Sequence, residues 1–142
     1  MRVTGRVILD ASVAVEAVGY FTYPDQARAI LREAASGPGI DLWAPDLVFP
    51  ESASAIRNLL HRGEIDRSAA EFAIESIVQL PVLVTSTAGL IEAAWQLRDD
   101  VTLYDACYVV LARQLGGTMV TADGSLARAM GSETVVHLSD ID

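Results

Sequence analysis

Residues 103–126 read LYDACYVVLARQLGGTMVTADGSL, and that stretch decides the fold class. Leu103 to Leu115 is apolar over the length of a helix, Gly116-Gly117 releases the chain, and Met119-Val120-Thr121 is a run of strand length. Asp123-Gly124 then turns the chain into a short helix near Leu126 to Met130. Helix, strand and helix in close succession are the repeating unit of a parallel sheet covered by helices. The opening of the chain repeats the second half of that unit. Val7-Ile8-Leu9 reads as a short buried strand, Asp10 ends it, and Ala11 to Glu16 starts a helix over the strand end.

Between these stretches lie more elements of the same kind. Tyr23 to Ala35 has Ala27, Ile30, Leu31 and Ala34 at helical spacing, Pro24 suited to a first turn, and Gly37-Pro38-Gly39 behind it. Leu42-Trp43-Ala44 supplies a second strand, and Leu47 to Leu60 a helix with Val48, Ser52, Ala55 and Leu59 along one face. Arg62-Gly63-Glu64 breaks the chain before a helix from Asp66 to Val78 whose pattern is Ala69, Phe72, Ala73, Ile77 and Val78. Val82-Leu83-Val84 reads as a third strand, Leu90, Ala93, Ala94 and Leu97 as a helix, and Thr134 to Leu138 as a last strand. The prediction is an α/β protein, one domain over residues 1–142, with a central parallel sheet of four or five strands covered on both faces. Right-handed crossovers put the carboxyl ends of the strands on one rim, where open sheets form their sites.

Composition bounds the function. With 51% apolar and 20% charged residues in 142, ordered globular structure is expected. Ten basic residues, all Arg, face 19 acidic ones for a net charge of -9. That excludes a broadly basic nucleic-acid surface, but neither a local Arg patch nor a carboxylate site that a cation neutralises. Cys107 stands alone, so an internal disulfide is excluded and a packed thiol is expected. No apolar run is long enough to cross a membrane as a helix, and Met1 to Leu9 lacks a signal-peptide core, so a cytoplasmic protein with no membrane partner is the expectation.

The informative acids are few. Asp10, Asp105 and Asp123 each stand at a predicted strand-to-helix transition, and Glu51 enters the first turns of another helix, so folding can bring the four to one rim. Acidic groups favour helix amino ends for purely electrostatic reasons, so each residue alone says little. Four close carboxylates resist joint ionisation without a counterion. Mg²⁺ or Mn²⁺ supplies it through oxygen ligands, whereas Zn²⁺ would recruit His or Cys.

At these residues the chain resembles the PIN-domain family, and within it the VapC-type toxin ribonucleases of bacterial toxin-antitoxin systems. The matching segments are VILDASVAVE, PDLVFPESASAIRNLLHRGEI and LYDACYVVLARQLGGTMVTADGSL, in that order across nearly the whole chain. The resemblance implies a PIN-like α/β/α fold and metal-dependent hydrolysis of RNA that leaves 5′-phosphate and 3′-hydroxyl ends. It also implies a homodimer and a cognate inhibitory antitoxin. The family's acidic positions fall on Asp10, Glu51, Asp105 and Asp123, as catalytic and metal-holding residues. Helper hydroxyls fall on Ser12 and Thr121.

Two positions depart from the family pattern. Ser54 stands where many relatives carry Asn, and Glu16 where many carry Lys, which would weaken phosphate attraction at the entrance. These departures keep open an alternative, a PIN-like protein-binding module without catalysis. A DNA-directed nuclease is a further one. A phosphoacceptor receiver is disfavoured by the absence of Lys, and a haloacid-dehalogenase-like phosphatase by Asp10-Ala11-Ser12 in place of Asp-x-Asp. Arg57, Arg62, Arg98 and Arg113 are candidates for contacting RNA phosphates, although ordinary solvation or internal pairing explains any one of them. Trp43, Trp95, Tyr104 and Tyr108 are expected to pack in the core or support the site. His61 and His137 are too dispersed for a zinc set.

Overall fold

Strand β1 (Gly5–Leu9) alternates its buried side chains between two helical layers. Val7 and Leu9 enter one apolar cluster and Ile8 the other. The same alternation recurs in β4 (Thr118–Thr121), where Val120 and Met119 part company, and in β5 (Val135–His137), where Val136 and Val135 do. A strand buried on both faces in this way belongs to a sheet sandwiched between helices. The computed structural model describes residues 1–19 and 22–142 and contains that sheet. Five parallel strands run in the order β3-β2-β1-β4-β5, with β2 at Ile40–Pro45 and β3 at Leu83–Thr85. The fold is α/β.

One layer is built from α1 (Ala11–Val18), α2 (Pro24–Ser36), α3 (Val48–His61) and α4 (Arg67–Val78). The other contains α5 (Ile91–Trp95), α6 (Leu103–Leu115) and α7 (Gly124–Met130). Helix α6 is buried along Ala106 to Ala112 without interruption. Its end explains both glycines. Gly116 adopts φ 62° as the left-handed cap, and a side chain on Gly117 would collide with the Arg6 carbonyl of β1. The chain departs in opposite directions from β1 and β4, the topological switch at which crevices open beyond the strand ends.

Several expectations are corrected. Helix α4 buries the narrow stripe Ala70, Ala73 and Ile77, leaving Ala69 exposed and Phe72 and Val78 at 66% and 68% exposure. Ala73 and Ile77 are buried as expected, but Ala70 takes the place of Ala69, and Phe72 and Val78 turn outward. On α3 the buried face passes through Ile56 rather than Ala55 and Leu59. The helix expected through Leu97 is a 3-10 turn at Thr87–Gly89 followed by the short α5, and Trp95 is exposed on it. Edge strand β3 exposes Leu83 and Val84.

Candidate functional site

At the end of β1, Asp10 takes the first position before α1, yet its side chain does not cap that helix. It is buried, and its Oδ2 accepts hydrogen bonds from the Ser12 hydroxyl at 2.6 Å and the Thr121 hydroxyl at 2.8 Å. Those hydroxyls in turn accept backbone N–H groups from the turn after β4: Ala122 donates to Ser12 Oγ at 2.9 Å and Asp123 to Thr121 Oγ1 at 3.0 Å. A hydroxyl has one proton to give. Both are committed to one carboxylate oxygen, which ties the β1 end to the β4 end. Burial pushes the Asp10 carboxyl up, the two hydroxyls pull it back, and the charge of Asp105 adds to the rise.

Glu51 lies in the first turn of α3, half-buried, and its Oε1 accepts the Tyr108 hydroxyl at 2.9 Å. Burial pushes its carboxyl up to about 7; Tyr108 opposes the rise, and the charges of Asp10 and Asp105 add to it. Asp105 is in the first turn of α6, where its N–H donates to Thr102 Oγ1 at 3.1 Å. It follows α5 and a turn, not a strand as the sequence suggested. Burial raises its carboxyl, the Thr102 hydroxyl lowers it, and Asp123 raises it. Asp123 differs. Its exposed Oδ1 accepts the Ser125 N–H at 2.9 Å, the Ser125 hydroxyl at 2.7 Å and the Leu126 N–H at 3.3 Å, capping α7. The Ser125 hydroxyl leads in holding this carboxyl below its ordinary value.

The four acids therefore form an electrostatic row in which Asp123 acts on Asp105, Asp105 on Asp10, and both Asp10 and Asp105 on Glu51. Among the described residues, no three His, Cys, Asp or Glu side chains converge as a ready metal cage. The donor set nonetheless fits a hard cation. It consists of oxygens only, three of its members are destabilised as anions, and Mg²⁺ commonly keeps several waters while leaning on one or two carboxylates. A cleft of about 630 Å³ opens beside the row, lined by Thr102, Asp105, Asp123 and Ser125, with Arg98 its one cationic side chain among the described residues.

The model of the PIN domain matches residues 7–131. The chain belongs to the PIN-domain family. This PIN domain is 35% identical to Ribonuclease VapC1 of Mycobacterium tuberculosis over 136 residues, which is 92% of this chain and 96% of the relative. That places it with the VapC proteins. Two solved structures of lower identity share its fold. VapC20 of Mycobacterium tuberculosis, described as a sarcin-ricin loop cleaving toxin, superposes with a TM-score of 0.64 at 21% identity, covering 90% of this chain and 98% of that one. VapBC2 of Rickettsia felis, bound to a DNA fragment of its promoter, gives 0.62 at 12% identity, covering 93% and 98%.

Within this PIN domain the candidate arginines separate. Arg98 lines the cleft, held by a bond from Nη1 to the Trp95 carbonyl at 2.9 Å and stacked 5.0 Å from the Trp95 ring centre. Arg113 lies eight residues along α6 from Asp105, about 12 Å down the helix axis. Arg57 and Arg62 recede from Glu51 along α3 in the same way, and Arg62 bonds the Asn58 carbonyl at 3.3 Å. The structure does not gather these three at the rim.

Glu16 is not at an entrance. It is buried, and its Oε2 accepts the Tyr23 N–H at 2.9 Å at the start of α2, so its difference from the family pattern is structural. Ser54 is exposed on α3. His137 accepts the Ser139 N–H at Nδ1 and places Nε2 3.1 Å from the Ala122 carbonyl, bracing the turn that holds Ser12. Cys107 is buried. Tyr104, expected inside, is 66% exposed beside Asp105. The specific partner of Tyr108 was not visible in the sequence, but Thr102 was: Thr102-Leu103-Tyr104-Asp105 is a Thr-x-x-acid signal before an apolar run.

Proposed function

We infer that this protein is a metal-dependent endoribonuclease toxin of the VapC type, acting in the cytoplasm and held in check by a cognate antitoxin. One observation carries the reading: a chain related over 92% of its length to a protein named a ribonuclease folds four carboxylates into one coupled row. Asp10, Glu51, Asp105 and Asp123 would hold Mg²⁺, or Mn²⁺ in its place, directly or through water. When bound, such an ion supplies positive charge, acidifies a coordinated water and polarises a phosphate oxygen.

The chain's own residues supply position. Ser12 and Thr121 fix the Asp10 carboxylate, Tyr108 fixes Glu51, and Thr102 anchors the turn that presents Asp105. Arg98, pre-set on Trp95 at the cleft, offers guanidinium donors to a backbone phosphate of the RNA. Attack by water leaves a 5′-phosphate and a 3′-hydroxyl. No protein nucleophile is required.

The partner reading has its own support. Helices α1 to α4 border an apolar cleft of about 830 Å³ whose lining includes Leu31, Ile56, Leu59, Phe72 and Ala73, a shape suited to a segment of the antitoxin. The protein is read as a homodimer.

The test compares RNA cleavage with Mg²⁺, with Mn²⁺ and with chelator, for the intact protein and for Asp105→Asn at matched folding. The expected result is divalent-dependent cleavage lost in the variant, with ends that accept ligation at the 5′-phosphate. Equal cleavage by Asp105→Asn in chelator would reject the assignment. No phosphodiester cleavage of any RNA or DNA would favour the binding-module alternative.

A further inference from the structure

Helix α6 presents two residues of different character on one face. Asp105 and Tyr108 are three positions apart, the spacing that stacks side chains along a helix. Asp105 belongs to the acidic row, whereas the Tyr108 ring is fully buried in the cluster formed with Ile8, Ala11 and Val48. From that fixed position its hydroxyl reaches across 57 residues of sequence to Glu51 Oε1 at 2.9 Å. Among the described residues no other side chain bonds the Glu51 carboxylate.

We propose that Tyr108 is a positioning residue that sets Glu51 in its metal-holding orientation, so that α6 contributes one ligand directly and aims a second. The inference rests on the reading of Glu51 as a metal ligand. Its physical basis is pre-organisation. A glutamate has several free torsions, and a carboxylate that must be ordered as the ion arrives binds it less tightly than one already held. The Tyr108 ring, packed on all sides, cannot swing to follow a wandering partner. Its one proton, given to Oε1, leaves Oε2 as the oxygen not engaged by Tyr108. Groups that hold metal ligands in this manner are worth about 10- to 100-fold in metal affinity.

A plain packing role makes a different prediction, because the phenyl ring alone would then suffice. The experiment is a Mn²⁺ titration of the full chain followed by electron paramagnetic resonance, which reads free ion without reference to activity. The expected result is a Kd for Tyr108→Phe weaker by about 10- to 100-fold. Val109→Ala, which removes buried core volume on the same helix, is expected to lower stability and leave Mn²⁺ affinity near that of the intact protein. In a Glu51→Gln background Tyr108→Phe is expected to cause no further loss, because the two residues act as a unit.

Unchanged Mn²⁺ affinity in Tyr108→Phe overturns the proposal, and so does an equal loss in Val109→Ala, which would make it general packing. If the intact protein takes up Mn²⁺ and Asp10→Asn weakens uptake while Tyr108→Phe does not, only this inference fails. If the intact protein takes up no Mn²⁺, the metal reading fails with it.

Discussion

The neighbouring strands β1 and β4 both run into an aspartate followed by a helix, yet Asp10 and Asp123 are in opposite physical states. Asp10 is buried, does not cap its helix, and has its carboxyl pushed up; Asp123 is exposed, caps its helix through two backbone N–H groups, and has its carboxyl held down. The first junction leaves its helix uncapped, commits its carboxylate to the Ser12 and Thr121 hydroxyls and sets it against the charge of Asp105. The second satisfies its carboxylate locally. A strand-end aspartate is thus available for chemistry to the extent that the backbone does not already use it.

The largest expected effect tests that difference. Asp10→Asn should lower the RNA cleavage rate by roughly 10²- to 10³-fold, the scale of losing one pre-set electrostatic contact. Asp123→Asn, whose partner oxygen still caps α7, should cost about 10-fold under the same conditions. Initial rates at saturating Mg²⁺ check both, and equal losses would erase the distinction between the junctions.

A second break uses pH. The Asp10, Glu51 and Asp105 carboxyls are raised in the folded chain, Glu51 to about 7 from 4.5. The native state therefore binds these protons more tightly than the unfolded one. Their contribution is complete below the unfolded values and is lost as pH rises through the folded ones. In chelator, Tm should fall between pH 5 and pH 8, and Mg²⁺ should restore it by binding only the native chain. A flat Tm across that range in chelator would remove the charge-crowding account. Asp123, with a lowered carboxyl, acts in the opposite sense: its contribution is complete above the ordinary Asp range and is lost as pH falls below it.

Smaller effects sharpen the comparison from the other side. Asp123→Ala should cost about 0.5–2 kcal/mol in unfolding free energy through loss of the cap, while Asp123→Asn should cost little, since Asn caps as well as Asp. Denaturant melts separate the two. Smallest is Arg98→Ala, which should weaken single-stranded RNA binding a few-fold and reduce the slope of log affinity against log salt by about 0.7, one phosphate contact. An unchanged slope would place Arg98 outside the RNA path.

Much of this was legible in residue order. Apolar runs separated by Gly116-Gly117, Asp123-Gly124 and Gly37-Pro38-Gly39 give the strands and helices within a few residues, because backbone breaks are local events. The four acids were legible as strand-end and helix-start residues. What was not legible depends on contacts distant in sequence. Glu16 reads as a surface charge until the Tyr23 amide is found against it, and Tyr108 reads as core until its hydroxyl meets Glu51. Phe72 and Val78 were misassigned because the buried stripe of α4 runs through Ala70, Ala73 and Ile77, and hydrophobicity alone does not reveal which flank of an apolar helix face turns inward.

Helix α6, buried from Ala106 through Ala112, has a consequence for how substitutions in this protein are to be interpreted. Catalytic proteins often separate a tolerant scaffold from an intolerant site, so that damage to stability and damage to function fall on different positions. Here the most enclosed helix begins at one carboxylate and holds a second through Tyr108. A methyl lost at Val109 or Leu111 weakens the scaffold, whereas a hydroxyl lost at Tyr108 frees a reactive group on that same helix, so stability and ion affinity must be measured together to tell the two kinds of damage apart.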